Sequence, residues 1–167
     1  MTLADVGAEV GVTAAALVQR YGSKRGLLLA VSRASMAGFR DHVARIRESH
    51  ASPLAGLTAF ATAMARYTSS PEELANQLAM FQLDLTDPEF YELGLAYFRA
   101  ERKELKGMLD DAVAAGELAV DTDTARLARM VQVVMNGGRL VWAVVREGTL
   151  ERWTRRDLDA LLEPYRP

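Results

Sequence analysis

The chain has 167 residues, half of them apolar and a quarter charged, and its formal net charge is −2 at pH 7. This composition indicates a folded globular protein of one domain, or one domain with a small appendage, and excludes a disordered chain and a globally basic nucleic-acid coat. The absence of cysteine excludes disulfide frameworks, thiolate zinc sites and cysteine nucleophiles. No signal segment opens the sequence and no apolar run approaches the roughly 20 residues that span a bilayer, so we expect a cytoplasmic protein that does not interact with membranes.

Apolar residues recur with helical spacing along the whole chain, and no run of alternating β-branched residues indicates a sheet. The fold is therefore predicted to be all-α. Caps and helix-breaking residues predict helices, in chain order, over about 3–10, 14–21, 24–49, 54–67, 71–86, 88–115, 122–146 and 151–163. Asp121 is the predicted N-cap of the seventh helix, and Gly148 is predicted to end it. We divide the chain into an N-terminal unit over 1–49 and a body over 50–167.

Charge is distributed unevenly between these two parts. Residues 1–50 contain seven basic and four acidic residues, a net charge of +3, so the remainder carries −5. A weakly basic front on an acidic body predicts that the front contacts a polyanion.

The segment Thr2–Leu28, TLADVGAEVGVTAAALVQRYGSKRGLL, has the spacing of a helix-turn-helix, in which a tight turn at Gly11 joins two short helices. In the second helix, Leu17 and Tyr21 share the inward face. The outward surface is left with small and polar side chains that can approach DNA bases and phosphates: Thr13, Ala15, Ala16, Gln19 and Arg20. Lys24 and Arg25 oppose the dipole of the next helix, and a DNA phosphate docked there would explain them.

With these residues the segment resembles the DNA-binding region of the TetR (tetracycline-repressor) family. The resemblance implies that Thr13–Tyr21 is the recognition helix, that Thr13 and Lys24 bind phosphate, and that Ser23–Ser49 links the DNA-binding unit to the body. It also implies double-stranded operator DNA as a partner. The candidate DNA-binding residues are Thr13, Ala15, Ala16, Val18, Gln19, Arg20 and Lys24.

Three departures from the family pattern stand out. Val18 occupies the place of a usual phosphate-contacting Tyr, and Ala14 that of a common Lys or Arg, so DNA affinity and its salt dependence are expected to be lower. Only Met1 precedes Thr2, whereas the family has a further helix in front. We expect that helix to lie upstream, trimmed or omitted; the alternative is a chain that does not bind DNA competently.

The resemblance further implies that residues 121–163 form a homodimer by pairing their two helices with a second copy as a four-helix bundle. The sequence agrees, because residues 127–145 are apolar around more than one helical face. The Gly137-Gly138 pair is understandable where another helix backbone approaches closely.

An effector pocket is implied within the body. The candidates for it are Met64, Tyr67, Gln77, Phe81, Gln82, Tyr97, Phe98, Met130, Asn136 and Trp142. Core packing alone could explain each apolar member, whereas Gln77 and Asn136, if buried without partners, would require one. No charged pocket residue stands out, so a largely apolar effector is favoured.

Enzyme chemistry has little support, and neither a cofactor nor a metal site is expected. His42 and His50 are interpreted as surface residues, and the carboxylates near 84–92 as helix caps. Two functions stay open: a dimeric, ligand-responsive transcriptional regulator, most simply a repressor released from a palindromic operator, or a dimeric helical binding protein without competent DNA binding.

Overall fold

The computed structural model describes residues 2–66, 68 and 70–167, except for the side chains of Met64 and Arg66. Within this part of the chain there are eight α-helices, a terminal 3-10 turn over Glu163–Tyr165 and no strand, which confirms the all-α prediction. The helices are α1 (Leu3–Val10), α2 (Ala14–Tyr21), α3 (Lys24–Glu48), α4 (Pro53–Arg66), α5 (Pro71–Thr86), α6 (Pro88–Ala114), α7 (Thr124–Val145) and α8 (Leu150–Leu162).

The caps predicted for the first three helices are present. The Thr2 hydroxyl accepts a hydrogen bond from the amide of Asp5, whose carboxylate accepts one from the Thr2 amide, forming a capping box. Thr13 and Ser23 cap α2 and α3 through their hydroxyls. Gly11 ends α1 with a φ of 71°, a left-handed conformation that a Cβ would disfavour.

The boundaries of α7 differ from the prediction. Asp123, and not Asp121, is the N-cap, because its carboxylate accepts a hydrogen bond of 2.9 Å from the Arg126 amide. Residues 119–122 form a turn closed by the Thr122 amide on the Ala119 carbonyl, so the helix cannot begin earlier. At the other end Arg146 takes the left-handed conformation, with a φ of 58°. The helix therefore ends at Val145, three residues before Gly148.

The main core lies among α3, α4, α6, α7 and α8, where large side chains are completely enclosed. Its largest members include Phe60, Leu105, Leu109, Leu127 and Leu158. Full burial of each such side chain stabilises the fold by about 1.5–3 kcal/mol. In contrast, α1 and α2 pack on each other and on the start of α3, with Leu17 as their buried anchor.

Helix α3 extends beside α6 in the same direction and in a fixed register. Near its start Arg25 reaches Asp87, its middle packs Phe39 against Tyr97, and near its end Arg47 pairs with Glu104 and Asp111. Because α3 contacts both α2 and the body, the division of the chain at residue 49 stays a prediction. None of the described helices is long and apolar enough to cross a membrane.

Candidate DNA-binding surface and effector cavity

Helix α2 presents one continuous exposed surface. All seven candidate DNA-binding residues lie on it or at the start of α3, and all are exposed; they are Thr13, Ala15, Ala16, Val18, Gln19, Arg20 and Lys24. On the opposite side of α2, Leu17 is buried and Tyr21 is half-buried, as the spacing predicted. DNA binding by these residues stays a prediction, since exposure is required for contact but does not demonstrate it.

Two glycines fix how α1, α2 and α3 meet. A Cβ at Gly7 would lie 2.5 Å from the carbonyl oxygen of Val12, and one at Gly26 would collide with the carbonyl oxygen of Tyr21. The helices therefore approach at distances that no larger residue permits. This close packing orients α2 relative to α3 without a large apolar core.

Arg25 has a partner inside the protein. Its Nε and Nη2 atoms donate hydrogen bonds of 2.8 Å to the two carboxylate oxygens of Asp87, and Nη2 lies 3.1 Å from Glu89. Arg33 also pairs with Glu89. The hydrogen bond from Arg25 lowers the pKa of Asp87 to about 2. This group, here called the α3–α6 clamp, explains Arg25 without a DNA phosphate and joins the base of the DNA-binding unit to the start of α6.

A cavity of about 540 Å³ lies between α3, α5, α6 and α7, within the size range of small-molecule sites. Much of its wall is aromatic: Phe81 and Tyr97 each meet the edge or face of Phe98, at centroid distances of 6.2 and 5.7 Å. Met36 and Met80 add flexible apolar surface. The polar members of the lining are Ser32, Ser35, His42, Gln77, Asp84 and Arg139.

A buried polar cluster adjoins this cavity. Glu101 is only 2% exposed, and its Oε2 accepts hydrogen bonds from Gln132 (2.7 Å) and Asn136 (3.3 Å). Gln132 also donates to the Phe98 carbonyl and accepts from Arg102. Burial raises the pKa of Glu101. Burial, and then the nearby Glu101 carboxylate, raises the pKa of Tyr97, so its hydroxyl remains protonated.

The structure brings together four of the ten candidate effector residues. Gln77, Phe81, Tyr97 and Phe98 line the main cavity, whereas Asn136 lines a smaller adjoining one of about 70 Å³. Met130 is half-buried and lines neither of these cavities. The Met64 side chain and Tyr67 lie outside the described residues. Effector binding by any of them stays a prediction.

Both predicted amides have protein partners. Gln77 accepts a hydrogen bond of 3.0 Å from Thr68, and Asn136 donates to Glu101 and to the Gln132 carbonyl. Neither therefore requires a ligand to satisfy it. Of the other two candidates, Trp142 donates to the Gly148 carbonyl and belongs to a small core cluster, and Gln82 is exposed.

The sequence analysis missed much of the cavity lining, including His42, Glu101 and Arg139. His42 was interpreted as a surface residue, but it is half-buried and lines the cavity, and its Nε2 is buried without a hydrogen-bond partner among the described residues. The spacing could have indicated this, since His42 follows Phe39 by three residues on the same helical face. Glu101 similarly lies four residues from both Tyr97 and Leu105, within an apolar stripe. Arg139 offered no such signal, because only tertiary packing brings it to the cavity.

The outer surface of α7 exposes a row of aliphatic side chains toward its C-terminal end. Its members are Val133, Leu140, Val141, Val144 and Val145. Such contiguous apolar exposure is unusual on a monomer and is typical of association surfaces. The row lies within the segment that the sequence analysis assigned to dimer formation.

No protein-family model matches the chain, and no curated protein matches it significantly. Solved structures do match over the whole chain. A TetR transcription regulator from Haloarcula marismortui superposes with a TM-score of 0.79 at 18% identity, covering 100% of this chain and 88% of its own. A TetR-family regulator from Agrobacterium tumefaciens superposes with a TM-score of 0.76 at 16% identity, covering 100% of this chain and 87% of its own.

A third match, PfmR of Thermus thermophilus, a TetR-family transcriptional regulator, gives a TM-score of 0.69 at 22% identity, covering 98% of this chain and 88% of its own. Identities this low report the fold and not the individual function. The resemblance inferred from Thr2–Leu28 is thus confirmed for the fold: this chain has the architecture of TetR-family transcriptional regulators.

Proposed function

We propose that the protein is a dimeric, ligand-responsive transcriptional regulator that acts as a repressor and leaves a palindromic operator when a small-molecule effector binds. One observation carries the proposal: a single helix, α3, supports the exposed helix α2 at its start and lines the 540 Å³ cavity over residues 31–42. A ligand in the cavity therefore contacts the same rigid element that orients the DNA-binding surface.

The α3–α6 clamp supplies the coupling. Asp87 is both the C-cap of α5 and the N-cap of α6, and these two helices form the cavity wall opposite α3. A ligand that changes the spacing of α5 and α6 displaces Asp87 and Glu89, and through Arg25 it displaces the start of α3. Effector and operator then favour different arrangements, so each lowers the affinity for the other.

The proposed dimer forms through the aliphatic row on α7. The aliphatic row on α7 would be covered by the same row of a second copy, related by a twofold axis. Two recognition helices would then address half-sites about 34 Å apart, one turn of DNA. Small side chains at Ala15 and Ala16 allow close approach to base edges, and Gln19 and Arg20 carry the donors that read adenine and guanine.

The test is selection of duplexes from a random DNA pool with the purified chain at low salt, followed by fluorescence anisotropy on the enriched sequence. We expect a palindrome whose half-site centres are one turn apart. Arg20→Ala should weaken binding by about 1–3 kcal/mol if it contacts a guanine. Arg99→Ala is the matched control, because Arg99 is an exposed arginine on α6, away from both α2 and the proposed dimer surface.

One observation favours the second candidate, a dimeric helical binding protein without DNA function. Val18 is 46% exposed on the surface that would face DNA, and it offers no hydrogen bond to a phosphate. If no sequence is enriched at low salt while small molecules bind the cavity, the second candidate replaces the first. Equal affinity of the Arg20→Ala and wild-type proteins would also contradict the proposed recognition surface.

A further inference from the structure

The two charged residues of the effector-cavity lining lie on different helices, Asp84 on α5 and Arg139 on α7. The Asp84 side chain packs on Gly94 of α6. Phe39 of α3 packs against Tyr97 of α6, and His42 follows Phe39 by one helical turn. Arg139 lines both the main cavity and the small one, together with Tyr97 and Phe98.

The Arg139 guanidinium is half-buried and forms no ion pair with a carboxylate, although Glu101 is near enough for the two charges to interact. Its hydrogen bonds run to Asn136, at 2.9 Å to the side-chain oxygen and 3.4 Å to the carbonyl. In the described part of the chain no carboxylate lies within 4 Å of it, in contrast to Arg25, Arg33 and Arg47, which all form ion pairs. A guanidinium carries five N–H donors, and Asn136 accepts hydrogen bonds only from Nε and Nη2. The remaining donors are available to a ligand.

Glu101 does not act as the acidic hydrogen-bond partner of Arg139. Its carboxylate is held by Gln132 and Asn136, and burial raises the pKa of the group, which favours its neutral form. His42 adds a second polar atom to the cavity lining, since its Nε2 is buried and lacks a partner among the described residues. Taking polar and charged groups out of water without partners is costly. An anion that accepts hydrogen bonds from both would remove that cost.

We propose that the effector is an amphipathic monocarboxylic acid. Its carboxylate accepts hydrogen bonds from the Arg139 guanidinium and from Nε2–H of His42, and its aromatic or branched aliphatic body lies against Met36, Met80, Phe81 and Phe98. Asp84, also in the lining, disfavours a second negative charge, so dicarboxylates bind less well. This inference rests on the proposed effector role of the cavity and specifies its ligand class.

The experiment measures binding to the full chain by isothermal titration calorimetry, in the absence of DNA. The probes are dodecanoic acid, 2-naphthylacetic acid and 4-tert-butylbenzoic acid, each with its primary amide and its primary amine of the same skeleton. In at least one series the acid should bind about tenfold or more tighter than the amide, with the amine weakest. Arg139→Gln should abolish the preference for the acid, Arg139→Lys should retain part of it, and His42→Leu should reduce it several-fold.

Arg99→Gln, at an exposed arginine of α6 that does not line the cavity, is the control for a lost positive charge and should leave the preference unchanged. Circular dichroism of each variant verifies that it is folded. The inference is overturned if the acid exceeds its amide and amine in none of the three series, if Arg139→Gln keeps the preference, or if no probe binds at up to about 1 mM. Failure of the regulator proposal would appear separately, as acids that bind the cavity but a chain that enriches no DNA sequence.

Discussion

At the scale of single residues, Glu101 is the most informative position in the body. It stands in an apolar stripe of α6, is almost completely buried, and still has hydrogen bonds from two amides. Those bonds offset part of the cost of burial but do not restore the hydration of a charged carboxylate. The charge of the Glu101 side chain, which lines the small cavity, therefore depends on pH.

We predict that Glu101→Gln makes the protein more stable at pH 8 than the wild type, and that this advantage disappears toward pH 4.5. Burial raises the pKa of Glu101 above its ordinary value of 4.5. Between the ordinary pKa, which applies to the unfolded chain, and the raised pKa of the folded state, the folded state binds more protons than the unfolded state. The stability of the wild type therefore falls as the pH rises through this range. Glutamine cannot titrate, yet its oxygen can still accept from Gln132 and Asn136. Thermal unfolding followed by circular dichroism from pH 4 to 8 measures the difference.

Glu92→Gln, an exposed glutamate on the same helix, is the control and should show no comparable trend. A difference between Glu101→Gln and wild type that stays constant over this pH range would contradict a titrating Glu101.

The residues that the sequence predicted well are those whose role is local. Thr2, Thr13 and Ser23 cap helices through hydroxyls that reach amides three residues away, and this geometry can be inferred from spacing alone. Arg25, His42 and Arg139 were misread or missed because their partners and surroundings come from distant segments. Arg25 meets residues 62 and 64 positions further along the chain, which no periodicity can indicate.

At the scale of elements, the orientation of the DNA-binding unit depends on close backbone approaches. Its helices enclose few large side chains, and Leu17 is the buried anchor of α2. Gly7 and Gly26 let neighbouring backbones pack closely, and this close packing compensates for the small number of buried side chains. The relative orientation of α1, α2 and α3 is thus set by main-chain contacts, which leave little freedom for substitution.

Gly26→Ala is predicted to destabilise the protein by about 1–3 kcal/mol, because the added methyl group collides with the Tyr21 carbonyl and forces the two helices apart. Gly38→Ala is the matched control in the same helix: nothing lies within 4 Å of its added Cβ, so alanine should stabilise α3 by about 1 kcal/mol. Urea unfolding of both variants gives the comparison. Equal stabilities would show that the junction of α2 and α3 relaxes freely.

Helix boundaries were predicted closely where one capping residue was available and less well where several competed. At the start of α7, Asp121 and Asp123 are both suitable caps. The turn over residues 119–122 decides between them, and it depends in part on the Ala119 amide donating to the Tyr165 carbonyl near the end of the chain. A long-range contact therefore selects the boundary that the local sequence left open.

At the scale of the whole molecule, the aliphatic row on α7 is the strongest indication that the chain does not act alone. Val133, Leu140 and Val144 lie on the side of α7 opposite the buried Val131. An apolar row of this kind is stable in water when a partner covers it. The proposed twofold contact would place each residue near its own copy or a close neighbour.

Val141→Glu is predicted to convert the dimer to monomers, raising the dissociation constant by about a hundredfold or more, because a twofold contact would bury two unpaired carboxylates. Size-exclusion chromatography with light scattering measures the mass. Val120→Glu adds the same charge at a loop residue that is 92% exposed, and it should remain dimeric. A monomeric wild type, or a Val141→Glu variant that remains dimeric, would contradict this surface as the interface.

The α3–α6 clamp affects how easily α3 can move when a ligand binds. Its arginines are at least half exposed, so water and dissolved salt weaken the attraction between them and the carboxylates. A junction sealed by buried hydrophobic side chains would resist movement with a large barrier, whereas exposed ion pairs can exchange one partner for another gradually. Even a weakly bound ligand could then reposition α3. The same screening implies that the communication between cavity and DNA-binding surface varies with the ionic strength of the surroundings.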